Sequence, residues 1–205
     1  MKSLLDNGKY ADMTICCQGH EFKGHRAIIC SQSSFFDTTM KEGFKEGKSS
    51  EVNLPCDDVN TITCVLSFCY LQDYSEADDS MDLRSEEIAR NQFRVYLAAD
   101  KFTILPLREL ACSRIIDWAK SNWRSDSFPD IVQLIWRTTP PQENGLRDAI
   151  VEVVSANIQH FLTKNGGKNA LIENPDFAVE VLEQVATNNN ILIQRLNALK
   201  VGHLR

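Results

Sequence analysis

The feature that most limits what this chain can fold into is a change of hydrophobic period near Pro55. Up to that point apolar residues alternate in short runs, and beyond it they recur every three or four residues. Met13, Ile15 and Cys17 alternate, Gln18-Gly19 offers a tight reversal, and Glu21-Phe22-Lys23 follows. That pattern predicts a β-hairpin in a half-buried sheet. Phe35, Phe36 and Met40 fit a short helix that stops near Gly43 and Gly47, leaving 43–49 as a polar connector. Glu51-Val52-Asn53-Leu54 returns to alternation before Pro55 ends it. A few strands can form here, and only at the start.

From Asp58 onward the pattern is helical. Asp58 is a good N-cap for a helix through Ile62, Val65, Leu66, Cys69 and Tyr70. Ala89, Phe93, Tyr96, Leu97 and Phe102 mark another, and Pro106 opens a third through Leu107, Ala111, Ile115 and Trp118. Ser127 before Pro129-Asp130 reads as a capping-box-like start, and Pro140-Pro141 as its stop. Leu146 to Leu162 predicts one helix, and Asn165-Gly166-Gly167 predicts a break. Asn174-Pro175 opens a last helix, whose tail carries Leu192, Leu196 and Leu199. The boundary between a mixed α+β domain and an all-helical region belongs at 120–127, with domains expected at 8–120 and 126–205.

Charge narrows the function classes. The formal net charge is −6, from 22 basic and 28 acidic residues, with no basic stripe to track a phosphate backbone. Binding of nucleic acid is not expected. The segment Met1 to Asp6 meets an acid before any hydrophobic run, so no secretory signal is expected. No apolar stretch reaches the ~20 residues of a membrane span. Seven cysteines without disulfide-like spacing fit a reducing compartment, cytoplasmic and/or nuclear.

Candidate chemistry is sparse. Cys16, Cys17, His20 and His25 are the nearest approach to a zinc set, but adjacent residues on a strand point to opposite faces. Core cysteines are the better reading, and no metal or other cofactor is expected. Gly43-Phe44-Lys45-Glu46-Gly47-Lys48-Ser49 has three residues where a phosphate loop needs four before Gly-Lys-Ser. No G-x-S-x-G elbow is present, and His160 and His203 lie in helical surroundings, so no catalytic residue is assigned and no small-molecule substrate is expected. The acidic run from Glu76 to Glu87 lacks the central Gly of a calcium loop and reads as a solvated loop. Phe44 is different. A large apolar side chain between glycines either folds back on its own core or serves as an anchor for a partner.

The runs YADMTICCQGHEFKGHRAIICSQSSFFDTTM, EVNLPCDDVNTITCVLSFCYLQDY and VYLAADKFTILPLRELAC, in this order and spacing, resemble the BTB/POZ domain over residues 8–120. Asp12, His25-Arg26, Ser34 with Phe36, Tyr74 closing the long helix, and Ala99-Asp100-Lys101 carry the signature. The long acidic segment at 76–87 is similar to the fungal branch, and 126–205 is similar to BACK-like helices. The resemblance implies an α+β fold, a helical cluster flanked by a short sheet, that assembles proteins rather than catalysing a reaction. It further implies a substrate adaptor for a cullin-RING ubiquitin ligase. Phe44 would fill an apolar pocket on the cullin and Glu46 would hydrogen-bond at its rim. The alternative is a homodimerisation or scaffold module, of a transcription-related kind, with no ubiquitin role. Few residues precede Tyr10, so pairing through Leu4, Leu5 and neighbouring surfaces is expected to be weak. The sequence shows no kelch repeat, MATH domain or zinc finger, so the helical region would hold the target.

Overall fold

The computed structural model describes residues 1–41, 43–75, 85–141 and 144–202. The chain divides into two compact units, Met1–Ile115 and Ile116–Arg205.

The first unit opens with a short helix α1 (Lys2–Asn7) and then the expected hairpin, β1 (Met13–Cys17) and β2 (His20–Gly24). Ile15 pairs with Phe22 in antiparallel register, and both turn residues, Gln18 and Gly19, take positive φ. That turn geometry matches the twist of the two strands. The third strand β3 (Glu51–Asn53) lies parallel to β1 on its other edge, with Val52 opposite Ile15. A parallel neighbour needs a crossover. Three short helices supply it: α2 (Arg26–Ile29), α3 (Ser34–Thr39) and α4 (Lys45–Ser49). The last was expected as an irregular connector.

Against this small sheet stand three long helices, α5 (Val59–Leu71), α6 (Ser85–Lys101) and α7 (Leu105–Asn122), the division between units falling within α7. The Asp58 carboxylate caps α5 by accepting from the Thr61 N–H at 2.9 Å. Ile62, Val65, Leu66, Phe68, Cys69 and Tyr70 are all buried, so α5 is the central helix of its unit. It ends at Leu71 with Gln72 in the left-handed conformation, and Tyr74 lies buried just beyond rather than within the helix. The Tyr74 hydroxyl is held by Gln92 of α6. Phe36 stacks on Phe102 at 5.1 Å, with Phe35 at 5.2 Å from each ring. The serine that matters here is Ser33, not Ser34. Its hydroxyl donates to the Phe102 carbonyl at 2.5 Å and accepts from the Phe36 N–H, so it caps α3 and ties it to the end of α6. Ser34 is exposed.

The second unit is wholly helical among its described residues: α8 (Phe128–Thr138), α9 (Asn144–Ala156), α10 (Ile158–Thr163), α11 (Asn165–Glu173) and α12 (Pro175–Gly202). Its core joins Trp118, Phe128 and Phe161 with Trp136 and Phe177, whose rings lie 4.6 Å apart. Three local expectations change. Ser127 precedes α8 but makes no side-chain cap. The helix expected over 146–162 is two helices, because Ser155 and Asn157 turn their side chains onto the carbonyls of Glu152 and Val153 and compete with the backbone. The expected break falls at Lys164, between α10 and α11, and Gly166 and Gly167 lie in the first turn of α11 rather than in a loop. A Cβ at Gly167 would lie 1.9 Å from the Phe161 carbonyl oxygen, so glycine is there to let α11 sit on the end of α10.

Candidate functional site

The site begins with the hairpin and the turn that leaves it. His25, just beyond β2, is buried, and its ring Nε2 lies 2.7 Å from the Lys9 carbonyl, which can only accept. Nε2 therefore carries the proton, and Nδ1 accepts from the Tyr70 hydroxyl at 2.6 Å. The same hydroxyl accepts from the His25 backbone N–H at 3.0 Å. Burial raises the Tyr70 pKa, which keeps the phenol protonated for this role. Next in the chain, the Arg26 N–H donates to Asp12 at 2.7 Å, and its guanidinium donates to the Ser50 hydroxyl at 2.8 Å. Asp12, His25 and Arg26 thus act as internal braces. They join the chain start, the hairpin, α5 and the end of α4.

The Arg26 guanidinium also reaches the Gly47 carbonyl, at 3.5 Å, and so fixes α4 from below. Gly47 is what lets α4 come so close. A Cβ there would lie 2.1 Å from the Lys41 oxygen and 2.9 Å from the Met40 oxygen. The short helix is pressed onto the chain that follows α3, and Phe44 stands at its N-cap with extended backbone. The Phe44 side chain is 51% exposed, so it does not fold into its own core. Glu46, in the first turn of α4, is half-buried, while Lys45 and Lys48 face solvent. An aromatic ring and a carboxylate are thereby presented by a helical turn that Arg26 and Gly47 hold from behind. The sequence marks Arg26 as a signature position and Gly47 as a helix stop, but the close approach they permit has no one-dimensional signal.

The other candidates fall elsewhere. Leu4 and Leu5 are half-buried on α1, which packs along α5. Cys17 is buried and Cys16 half-buried, pointing to opposite faces of β1 as the alternation requires. His20 is exposed, while His25 is engaged by Tyr70 and Lys9. Among the described residues no group of three or more His, Cys, Asp or Glu side chains could hold a metal ion. All seven cysteines are free thiols, and burial pushes the Cys69 thiol up to about 12. Among the described residues no helix is long and apolar enough to cross a membrane. Residues 76–84 of the acidic segment and His203 lie outside the described residues.

Comparison with known proteins agrees with this architecture. The family model of the BTB/POZ domain matches residues 1–117. Among curated proteins, "Kelch repeat and BTB domain-containing protein 4" of Pongo abelii and of Homo sapiens are each 27% identical over 136 residues, 66% of this chain. The chain spans only 22–23% of the length of these relatives. Among solved structures, the BTB domain of zebrafish PATZ1 matches 56% of this chain and 83% of its own, at 16% identity and a TM-score of 0.43. The BTB domain of human Gigaxonin matches 55% of this chain and 81% of its own, at 16% identity and a TM-score of 0.40. With a matching family model over more than half its length and the braced hairpin and helical cluster described above, this chain belongs to the BTB/POZ domain family.

Proposed function

We propose that this chain, which carries a BTB/POZ domain, a protein-interaction module generally without enzymatic activity, is an adaptor whose BTB unit holds the N-terminal domain of a cullin in a ubiquitin ligase, while its C-terminal helices present a target. The observation that carries this reading is Phe44. Leaving half of a phenyl ring in water is unfavourable by ~25 cal/mol per Å² of apolar surface, and a partner's pocket removes that cost. A buried aromatic anchor of this type commonly dominates an interface. Glu46 stands two residues on, in the first turn of the same helix, and would accept hydrogen bonds at the pocket rim. Free thiols on all seven cysteines favour a reducing compartment, cytoplasmic and/or nuclear.

Titration calorimetry against a cullin N-terminal domain tests the proposal. The expected result is binding tighter than ~1 μM, about −8 kcal/mol, weakened in both Phe44→Ala and Glu46→Ala. No heat from folded wild-type protein would instead favour a self-pairing scaffold, in which the part-exposed Leu4 and Leu5 of α1 would meet a second copy.

A further inference from the structure

Resting on the adaptor reading above, we propose that the second unit holds its target in a groove beside α12, as an extended segment in which an Asp or Glu carboxylate adjoins a large apolar side chain. α12 is anchored at its start by the buried Phe177 and Val181, and its apolar stripe then comes out into water. Leu182 is 67% exposed and Leu192 55% exposed. Alone, such a stripe selects no partner. The stretch from Val185 to Leu192 differs, because it forms one wall of a groove of about 790 Å³ whose other residues have a definite chemistry.

The groove lies wholly within the second unit. α12 supplies Val185, Asn188, Asn189 and Leu192, and the junction of α9 and α10 faces them with Asn157 and His160. Trp123 lies against His160, their ring centres 5.1 Å apart. Val185 to Leu192 covers about 10 Å of helix axis, at ~1.5 Å per residue. An extended chain advances ~3.3 Å per residue, so about three of its residues cross the groove. Each wall amide both donates and accepts, as each peptide unit of an extended chain does. The amides therefore suit a main chain, while Trp123, Val185 and Leu192 suit one large apolar side chain. The groove is open to solvent along one side, so it covers a crossing chain better than it encloses a small molecule.

Charge selects the acid. Among the described residues, none that lines the groove is Asp, Glu, Lys or Arg. Such a wall has nothing to neutralise a cluster of phosphates and nothing to repel a single negative charge. Positive character gathers at the Trp123 end alone. There the Arg124 guanidinium lies 3.9 Å from the Trp123 ring centre, and among the described residues it has no carboxylate partner. The Nε2 atom of His160 is buried without a hydrogen-bond partner, a demand that native structures normally meet. Asp126, the acid that acts on His160, is already taken by the Lys164 ammonium at 2.6 Å. A carboxylate entering at this end would accept from Arg124 and, with a small turn of the imidazole, from Nε2–H. Another groove along α12 has the opposite character: Asp148, Glu152, Glu180 and Glu183 line it and would repel the same segment.

Panning of phage-displayed random peptides of about twelve residues on the full chain tests the proposal. Enriched sequences are then made with acetylated and amidated ends, so that side chains carry the only carboxylates, and their affinity is read by fluorescence anisotropy. They should share an Asp or Glu beside a large apolar residue, and changing that acid to its amide should weaken binding about tenfold. Arg124→Glu and Leu192→Glu, both at exposed positions, should each weaken it by about tenfold or more without lowering the unfolding midpoint seen by circular dichroism. Leu182→Asp, outside the groove, should leave it unchanged. If Leu192→Glu unfolds, Asn189→Trp, which fills the groove from an exposed position, takes its place. Peptides that bind the groove variants as tightly as wild type would overturn the proposal, and so would a selection that enriches nothing over the Leu192→Glu protein. Enrichment of Lys or Arg instead of an acid would overturn the charge assignment. The cullin titration reads Phe44 in the other unit, so the two readings fail separately. Cullin heat with an empty selection removes the groove and leaves the adaptor, whereas groove peptides without cullin heat keep the groove and remove the adaptor.

Discussion

The two units of this chain are both rich in helix, but they are held by different means. In Met1–Ile115, long-range polar contacts lock elements that are too short to be stable alone. Ser33 reaches the Phe102 carbonyl, and Tyr70 reaches His25. Arg114 donates to the Tyr74 carbonyl at 2.7 Å and lies 4.1 Å from that ring. Helices of four to six residues do not pay for their own nucleation, so side chains must set where they sit. In Ile116–Arg205 the helices are longer and aromatic packing dominates. One buried polar centre stands out there. The Arg147 guanidinium donates to the Trp136 and Thr139 carbonyls at 2.8 and 2.7 Å and lies 4.2 Å from the Trp136 ring. It closes the carbonyl end of α8, where Pro140 prevents the helix from continuing. The first unit therefore spends its polar groups on bracing a surface turn, whereas the second spends one arginine on ending a helix and leaves α12 with an uncovered apolar face.

Substitutions can break this contrast, and the largest effect is expected at the aromatic cluster of the first unit. Phe102→Ala removes a fully buried ring that touches Phe35 and Phe36 and should cost about 3–5 kcal/mol. Chemical denaturation should then show the first unit melting at a lower denaturant concentration while the Trp fluorescence of the second, which holds all three tryptophans, changes later. Next comes Arg147→Met, which keeps the aliphatic stem but strands two buried carbonyls, for about 2–3 kcal/mol. The same fluorescence transition should move, and if it does not, the second unit rests on packing alone. Tyr70→Phe leaves the ring in place and removes only the hydroxyl bridge to His25, for about 1–2 kcal/mol. Its signature would be faster amide exchange at His25, whose N–H loses its acceptor.

Smaller still, Phe44→Ala should change stability by less than about 0.5 kcal/mol, as befits a half-exposed surface residue. A loss of several kcal/mol in the same denaturation assay would put the ring in the core and remove the anchor. The smallest effect is chemical rather than energetic. At pH 8 iodoacetamide should label the exposed Cys56 and spare Cys69, whose thiol is buried and pushed up to about 12, as peptide mass analysis would show.

Much of this was legible in one dimension. The Gln18-Gly19 turn, the Asp58 cap and the stop at Pro140 are local chemistry, and each forms as its residues dictate. Where reading failed, the cause was a contact with a distant residue. Ser33 and Ser34 are indistinguishable by type, and the bond that Ser33 makes to the distant Phe102 carbonyl, beside its local cap on α3, has no sequence signal. Gly166-Gly167 looks like a breaker because glycine costs a helix about 1 kcal/mol, yet the Phe161 carbonyl leaves no space for any other residue there. The segment 43–49 was read as connector for the same reason in reverse. Its helix is too short to announce itself and exists because Arg26 and the close approach at Gly47 hold it.

By itself the sequence determined that strands come first and helices follow, the alternation that makes the small sheet and, through resemblance, the family. The pattern of strands and helices depends on periodicity and on neighbours a few residues apart. The tertiary structure decided that Phe44 faces water rather than the core, that His25 and Arg26 brace instead of bind, and that the α12 stripe stays uncovered. Exposure is a property of what surrounds a side chain after the chain has closed on itself, and no local pattern contains it.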